Sequence, residues 1–262
     1  MTTIGAPFYE RSFQVGVANP SIDYELSFFQ KRDTEHFSVY YFPSSLAAKD
    51  IDSIVKEREA AYQRILELLA VRYPGRVRIF LFPDAATKTK ETGHTGAGWA
   101  FRNNIVEVYN VDTRLDPFHE LAHIIANQLG EPPALFNEGF AVYASELMGG
   151  DALKYLASPG KRLDEAVAIH RSQGKFIPLV ELLKDSEFGS DASRSEIAYP
   201  EAGSAVKYLI EHFGVQKFRS GYQSLVSGSP AAASNQEAFR RIYGRSIAEI
   251  EPDWLKTLPP AK

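Results

Sequence analysis

His119, Glu120 and His123 are the residues of this chain whose types and spacing could do chemistry together. They stand in the run His119-Glu120-Leu121-Ala122-His123. On a helix, positions i and i+4 share one face, roughly 40° apart around the axis and about 6 Å along it. Two imidazoles so placed can reach a single zinc ion. Glu120, beside the first histidine, is then positioned to take a proton from a metal-activated water.

The flanking residues predict the helix that this chemistry needs. Asp116 is a good N-cap and Pro117 is favoured in the first turn. Phe118, Leu121, Ala122, Ile124, Ile125 and Leu129 supply a wide apolar stripe, and Gly130 with Pro132-Pro133 ends it. The motif therefore falls on a buried helix of about 13 residues. Buried His, Glu and His side chains are costly without partners, and a metal provides them.

A catalytic zinc takes three protein ligands and keeps one position open. The chain has no cysteine, so the third ligand is a carboxylate or another histidine. No His-x-x-Gly-x-x-His extension follows His123, which excludes the metzincin arrangement. Glu131, Glu138 and Glu146 are the nearby carboxylates downstream. Glu131 sits in a Gly-Glu-Pro-Pro turn, and Glu146 comes late in the next predicted helix. Glu138 comes early in that helix, where an antiparallel return would bring it opposite the histidines. Glu138 is the favoured third ligand, with the other two as alternatives.

These two stretches resemble a known family. His119-Glu120-Leu121-Ala122-His123 followed by Asn137-Glu138-Gly139-Phe140-Ala141-Val142-Tyr143 looks like the gluzincin zinc peptidases, specifically the peptidase MA-like proteins. The helix-forming run from Tyr199 to Gly214 and the closing run from Tyr243 to Leu255 are similar to later parts of that family. The resemblance covers about residues 36 to 258. It implies zinc held by His119, His123 and Glu138, with Glu120 as general base. Tyr199 matches the tyrosine that donates to the oxyanion, with Tyr143 as its rival. The carboxylate that often follows the ligand glutamate by four residues is replaced here by Val142. That leaves Asn137, Glu146 or a backbone carbonyl to orient a zinc histidine.

Composition agrees with a single compact enzyme. The 262 residues are 44% hydrophobic and 24% charged, with a net charge of −4, so no general nucleic-acid affinity is implied. No stretch reaches the roughly 18 apolar residues that span a membrane. The first residues lack the pattern of a signal peptide. The family resemblance nevertheless favours an extracytoplasmic protein whose leader is absent, with a cytoplasmic one as the alternative.

The elements that must position the site follow from periodicity. Residues 1–35 form an extension of uncertain structure, with strand-like alternation over 13–17 and 24–28. A strand over 37–42, a long helix over 47–71 and a buried strand over 77–82 come next. Gly98 to Phe101 and Ile105 to Tyr109 flank a turn at Arg102-Asn103-Asn104. Beyond residue 115 the chain reads as helical, with a helix over 161–172. Tyr199 is expected in extended conformation, with Pro200 starting the helix after it. His94 and His170 read as surface residues.

The expected fold is α+β. A catalytic domain over 36–262 divides into an α/β lobe (36–113) and a helical lobe (114–262). In gluzincin-like proteins the active site lies between such lobes, and an edge strand pairs with the substrate backbone. Gly98, Trp99 and Ala100 are the candidates for that strand. Residues 149–198 are a candidate wall or lid. The expected function is zinc-dependent hydrolysis of peptide bonds. The alternative is an inactive zinc-containing module of the same fold that binds peptide or cell-wall fragments.

Overall fold

The computed structural model describes residues 28–154, 158–184, 188, 192–228 and 232–261. The strands expected over 13–17 and 24–28 lie outside these residues, apart from Phe28, which is in no strand. Residues 185–193, within the candidate wall or lid, likewise lie mostly outside them. The chain divides into two compact units. One runs up to Gln63 and includes Pro74–Glu120; the other is Arg64–Tyr73 with Leu121–Lys262.

The first unit is built on a mixed sheet in the order β1-β2-β3-β5-β4. The strands are β1 (Gln30–Asp33), β2 (Phe37–Tyr41), β3 (Val77–Phe82), β4 (Gly98–Phe101) and β5 (Asn104–Val108). β2, β3 and β5 run parallel, while β1 and β4 pair antiparallel at the two ends. Parallel neighbours need crossover connections. Helix α1 (Leu46–Leu69) supplies the one between β2 and β3. Alternation sets the faces: Phe37, Val39 and Tyr41 on β2 and Val77, Ile79 and Leu81 on β3 are buried. Tyr62 of α1 meets Phe37 edge-on at 5.8 Å. The β4–β5 connection is a two-residue turn, Arg102-Asn103, with Arg102 at φ 54. Helix α2 (Ala85–Thr92), not foreseen above, is capped by Asp84, which accepts from Thr87 N at 2.7 Å, and ends at Gly93, φ 75.

The second unit is helical. Besides the end of α1 it holds most of α3 (His119–Ala126), then α4 (Ala134–Leu147), α5 (Leu163–Ser172), the short α6 (Leu179–Leu182), α7 (Ala192–Phe213), α8 (Val215–Ser224), α9 (Ala232–Tyr243) and α10 (Ile247–Thr257). Helices α4 and α7 pack so closely that Gly139 and Gly203 have no room for a side chain. A Cβ on Gly139 would lie 2.6 Å from Ala202 O, and one on Gly203 would lie 2.5 Å from Val142 Cγ2. Leu135, Phe136, Phe140, Ala202, Val206 and Trp254 are buried in this core. Trp254 Nε1 donates to Ser204 Oγ at 2.9 Å, which in turn donates to Asp164 at 2.6 Å. Such pairing lets polar groups stay inside.

Three expectations are corrected. The motif helix has 8 residues, because the chain leaves the helix as a turn over 127–129 before Gly130. Tyr199 is not extended, and Pro200 does not start its helix: α7 begins at Ala192 and runs through both. Proline fixes a φ that suits a helix and removes one donor. The preceding residues include Arg194, Glu196 and the fully buried Ala198, which favour or reward helix despite that loss. His170 is not a surface residue. It lies on α5 at 6% exposure, and burial pushes its pKa down. His94 is half-buried and tilted over Trp99 at 4.3 Å.

Candidate metal centre

The histidines owe their position to the cap on α3. Asp116 Oδ1 accepts from Phe118 N at 2.8 Å and from His119 N at 3.2 Å. These are the free donors of a helix N-terminus, and their pairing fixes where the helix starts. His119 and His123 are then one helical turn apart. Leu121, Ala122 and Ile125 on α3 are fully buried and hold it in place. Pro133 precedes α4 and its carbonyl accepts from Phe136 N and Asn137 N at 2.8 and 3.1 Å. Glu138 is the fifth residue of that helix.

His119, His123 and Glu138 each offer one ligand atom, and these atoms all lie within 4.8 Å of one another. Among the described residues they are the group that could hold a metal ion. His123 Nε2 stands 3.4 Å from Glu138 Oε2. Ligand atoms about 2.0–2.1 Å from one tetrahedral ion are about 3.4 Å apart. The donor set of two imidazoles and a carboxylate, and this spacing, fit zinc.

The alternative carboxylates are not in this group. Glu146 accepts from Leu163 N at 2.6 Å and pairs with Arg162 at 3.1 Å. Glu131 is exposed. Of the candidates for orienting a histidine, Asn137 is in contact with His123: its Oδ1 lies 2.9 Å from His123 Nδ1. The same oxygen is 2.8 Å from the hydroxyl of Tyr222 on α8. Tyr222 is fully buried, and burial first, then the Glu138 charge, raises its pKa well above the usual phenol value. No signal in the sequence links Tyr222 to the motif, because only packing brings α8 beside α4.

Glu120 is buried in the first turn of α3. Its charge is felt by Glu107 on β5, whose carboxyl burial pushes up to about 7 against the opposing pull of Arg58. Arg58 Nη2 and Glu107 Oε2 are 2.6 Å apart and both side chains are buried. Gly98, Trp99 and Ala100 lie half-buried on β4, the terminal strand of the sheet. Gly98 has a packing reason of its own, since a Cβ there would lie 2.3 Å from Leu115 Cδ1. Lys88 Nζ sits 4.8 Å over the Trp99 ring, and burial lowers its pKa to about 8. Tyr199 is half-buried on α7, 5.2 Å from the ring of Phe188. Tyr143, the rival of Tyr199, is buried in α4.

The comparisons with known proteins agree with a zinc-peptidase fold. The family model described as Peptidase MA superfamily matches residues 103–259, and the chain belongs to that superfamily. Among solved structures it is similar to an M1 zinc metallopeptidase from Deinococcus radiodurans, with a TM-score of 0.54 at 18% identity. It is also similar to a mutant of that enzyme bound to a Tyr-ser-ala substrate, at 0.54 and 17%. A two-domain M1 zinc metallopeptidase mutant bound to L-arginine gives 0.55 and 16%. Each match covers 88% of this chain and 53% of the other, so the chain spans about half the length of these structures. Among curated proteins none matches the sequence. No helix among the described residues is long and apolar enough to cross a membrane.

Proposed function

We propose that the chain is a zinc-dependent metallopeptidase, with residues 36–262 as its catalytic domain and His119, His123 and Glu138 as the zinc ligands. The observation that carries this reading is the convergence of those three ligand atoms within 4.8 Å, on two consecutive helices of a peptidase MA chain. When bound, zinc supplies Lewis acidity toward a carbonyl oxygen and brings the pKa of a water toward neutrality.

The other steps belong to the chain's own side chains. Glu120 accepts a proton at its carboxylate as water attacks the peptide carbonyl, and passes it to the leaving amine. Asn137 accepts the Nδ1 hydrogen of His123, which leaves Nε2 free as a ligand atom. Tyr199 donates its phenolic hydrogen to the carbonyl oxygen as charge develops there, an effect worth about 3 kcal/mol for one such donor. The backbone of Gly98, Trp99 and Ala100 pairs with an extended substrate, which gives affinity with little side-chain selection. The substrate class is peptide or protein. The Tyr-ser-ala complex of the neighbouring enzyme supports this, as a peptide held by the same fold.

The test is cleavage of a diverse peptide library by the zinc-loaded protein and by its Glu120→Gln variant. The wild type is expected to cleave. The variant should keep its zinc and lose about 100-fold or more of the rate, as for a missing general base. A zinc-loaded wild type that cleaves nothing, or a variant as active as the wild type, would overturn the reading.

A further inference from the structure

One face of the five-stranded sheet is aromatic. Register lines up Lys31, Tyr40, Phe80, Val106 and Trp99, one residue from each strand, on the side away from α1. Tyr40 stacks on Phe80 at 4.7 Å. Phe82, two residues after Phe80, shares this side and has Phe42 tilted against it at 5.8 Å. On the opposite side α1 covers the sheet, with Tyr62 against Phe37 and Arg58 against Glu107.

Parallel strands such as β2, β3 and β5 are found with both faces covered. Helix α2 covers the β4 end of the aromatic face. Its Lys88 sits over Trp99, and Val106 and Val108 of β5 are buried. Toward β2 and β3, Tyr40, Phe42 and Phe80 are only half-buried.

The chain reaches this same face just before β1. The Phe29 ring lies on it, 4.7 Å from Phe42, 5.5 Å from Phe82 and 5.9 Å from Phe80. What precedes Phe29 therefore arrives on the aromatic side of the sheet. Residues 1–27 lie outside the described residues, and their composition is not that of a solvated tail. They include Phe8, Tyr9, Phe13 and Tyr24, and their charged side chains are Glu10, Arg11, Asp23 and Glu25.

Charge agrees with apolar content. Arg78, two residues before Phe80 on the same face, is half-buried, and its Nε is buried with no hydrogen-bond partner among the described residues. An acceptor there is worth having, since a buried donor left unpaired is costly. Residues 1–27 bring three carboxylates against one arginine. The edge of the sheet argues against the other way of using this segment, as a sixth strand. All four residues of β1 are exposed, and Lys31, Arg32 and Asp33 make it the charged kind of edge that discourages pairing.

We propose that residues 1–27 are the cover of this face: they pack their aromatic side chains on Phe29, Tyr40, Phe42 and Phe80, beside α2, and so close the second side of the sheet.

The chain has no cysteine, so spin labels can be placed on introduced cysteines in the whole chain. Lys90 on α2 and Lys56 on α1 are exposed and mark the two sides of the sheet. Pulsed EPR on Gln14→Cys with Lys90→Cys should give one narrow distance. It should be shorter than the distance for Gln14→Cys with Lys56→Cys, and unchanged when labelled chains are diluted with unlabelled ones. A free coil joining residue 14 to Phe28 would instead spread both distances over about 20 Å, which would overturn the proposal. A narrow distance nearer Lys56 would also overturn it, by placing the segment on the α1 side. So would a distance that dilution abolishes, which would make the cover a second copy of the chain.

Discussion

Gly139 and Ala202 meet backbone to backbone: a Cβ on Gly139 would lie 2.6 Å from the carbonyl oxygen of Ala202. The glycine follows Glu138 directly, so the approach of α4 to α7 and the placement of the third candidate ligand are one structural fact. A helix whose neighbour is backbone cannot yield as it could to the end of a flexible side chain.

Gly139→Ala should therefore lower stability by about 1–3 kcal/mol, the range for overpacking a close contact. Chemical denaturation of the metal-free protein measures it. The same variant should bind zinc more weakly, because α4 must shift to admit the methyl. Unchanged stability would show that the two helices have slack.

A second stability prediction concerns Glu201 on α7. Its side chain is fully buried and receives Ile177 N at 3.2 Å on both oxygens. Burial foremost, and then the charge of Glu251, push its pKa up to about 9, against the pull of the Ile177 N–H and of Arg194. A carboxyl whose pKa is higher folded than unfolded favours the folded state at low pH. That stability is lost as pH rises from the unfolded value of 4.5 through the folded value of about 9. The loss reaches at most about 1.4 kcal/mol per pH unit. Glu201→Gln mimics the protonated acid. Its stability should match that of the wild type near pH 5 and exceed it near pH 8. Parallel pH profiles for the two proteins would contradict this.

Much of the fold was legible because its period is strong. Val77–Phe82 falls where its apolar run, broken only by Arg78, places it, and α1 lies within two residues of the expected bounds. The hairpin at Arg102 and the Asp116 cap are also where local chemistry puts them. α2 went unread although Asp84 and Gly93 are ordinary cap signals, because its only apolar residues are Ala85 and Ala86 and its buried residues are Lys88 and Thr92. Tyr199 was misread because Pro200 is a local helix-start signal, whereas burial of Ala198 in the preceding turn is a tertiary effect. In the candidate site, the histidines and Glu138 were legible from spacing along two adjacent helices. Tyr222 was not, since it reaches Asn137 across 85 residues of chain.

The most direct test of the central claim is the metal itself. Elemental analysis of the purified protein should find about one zinc per chain, as for a mononuclear site. The His119→Ala, His123→Ala double variant should have lost it while keeping the helical signal of the wild type. Full zinc content in that folded double variant, or a wild type that takes up no zinc, would contradict the account.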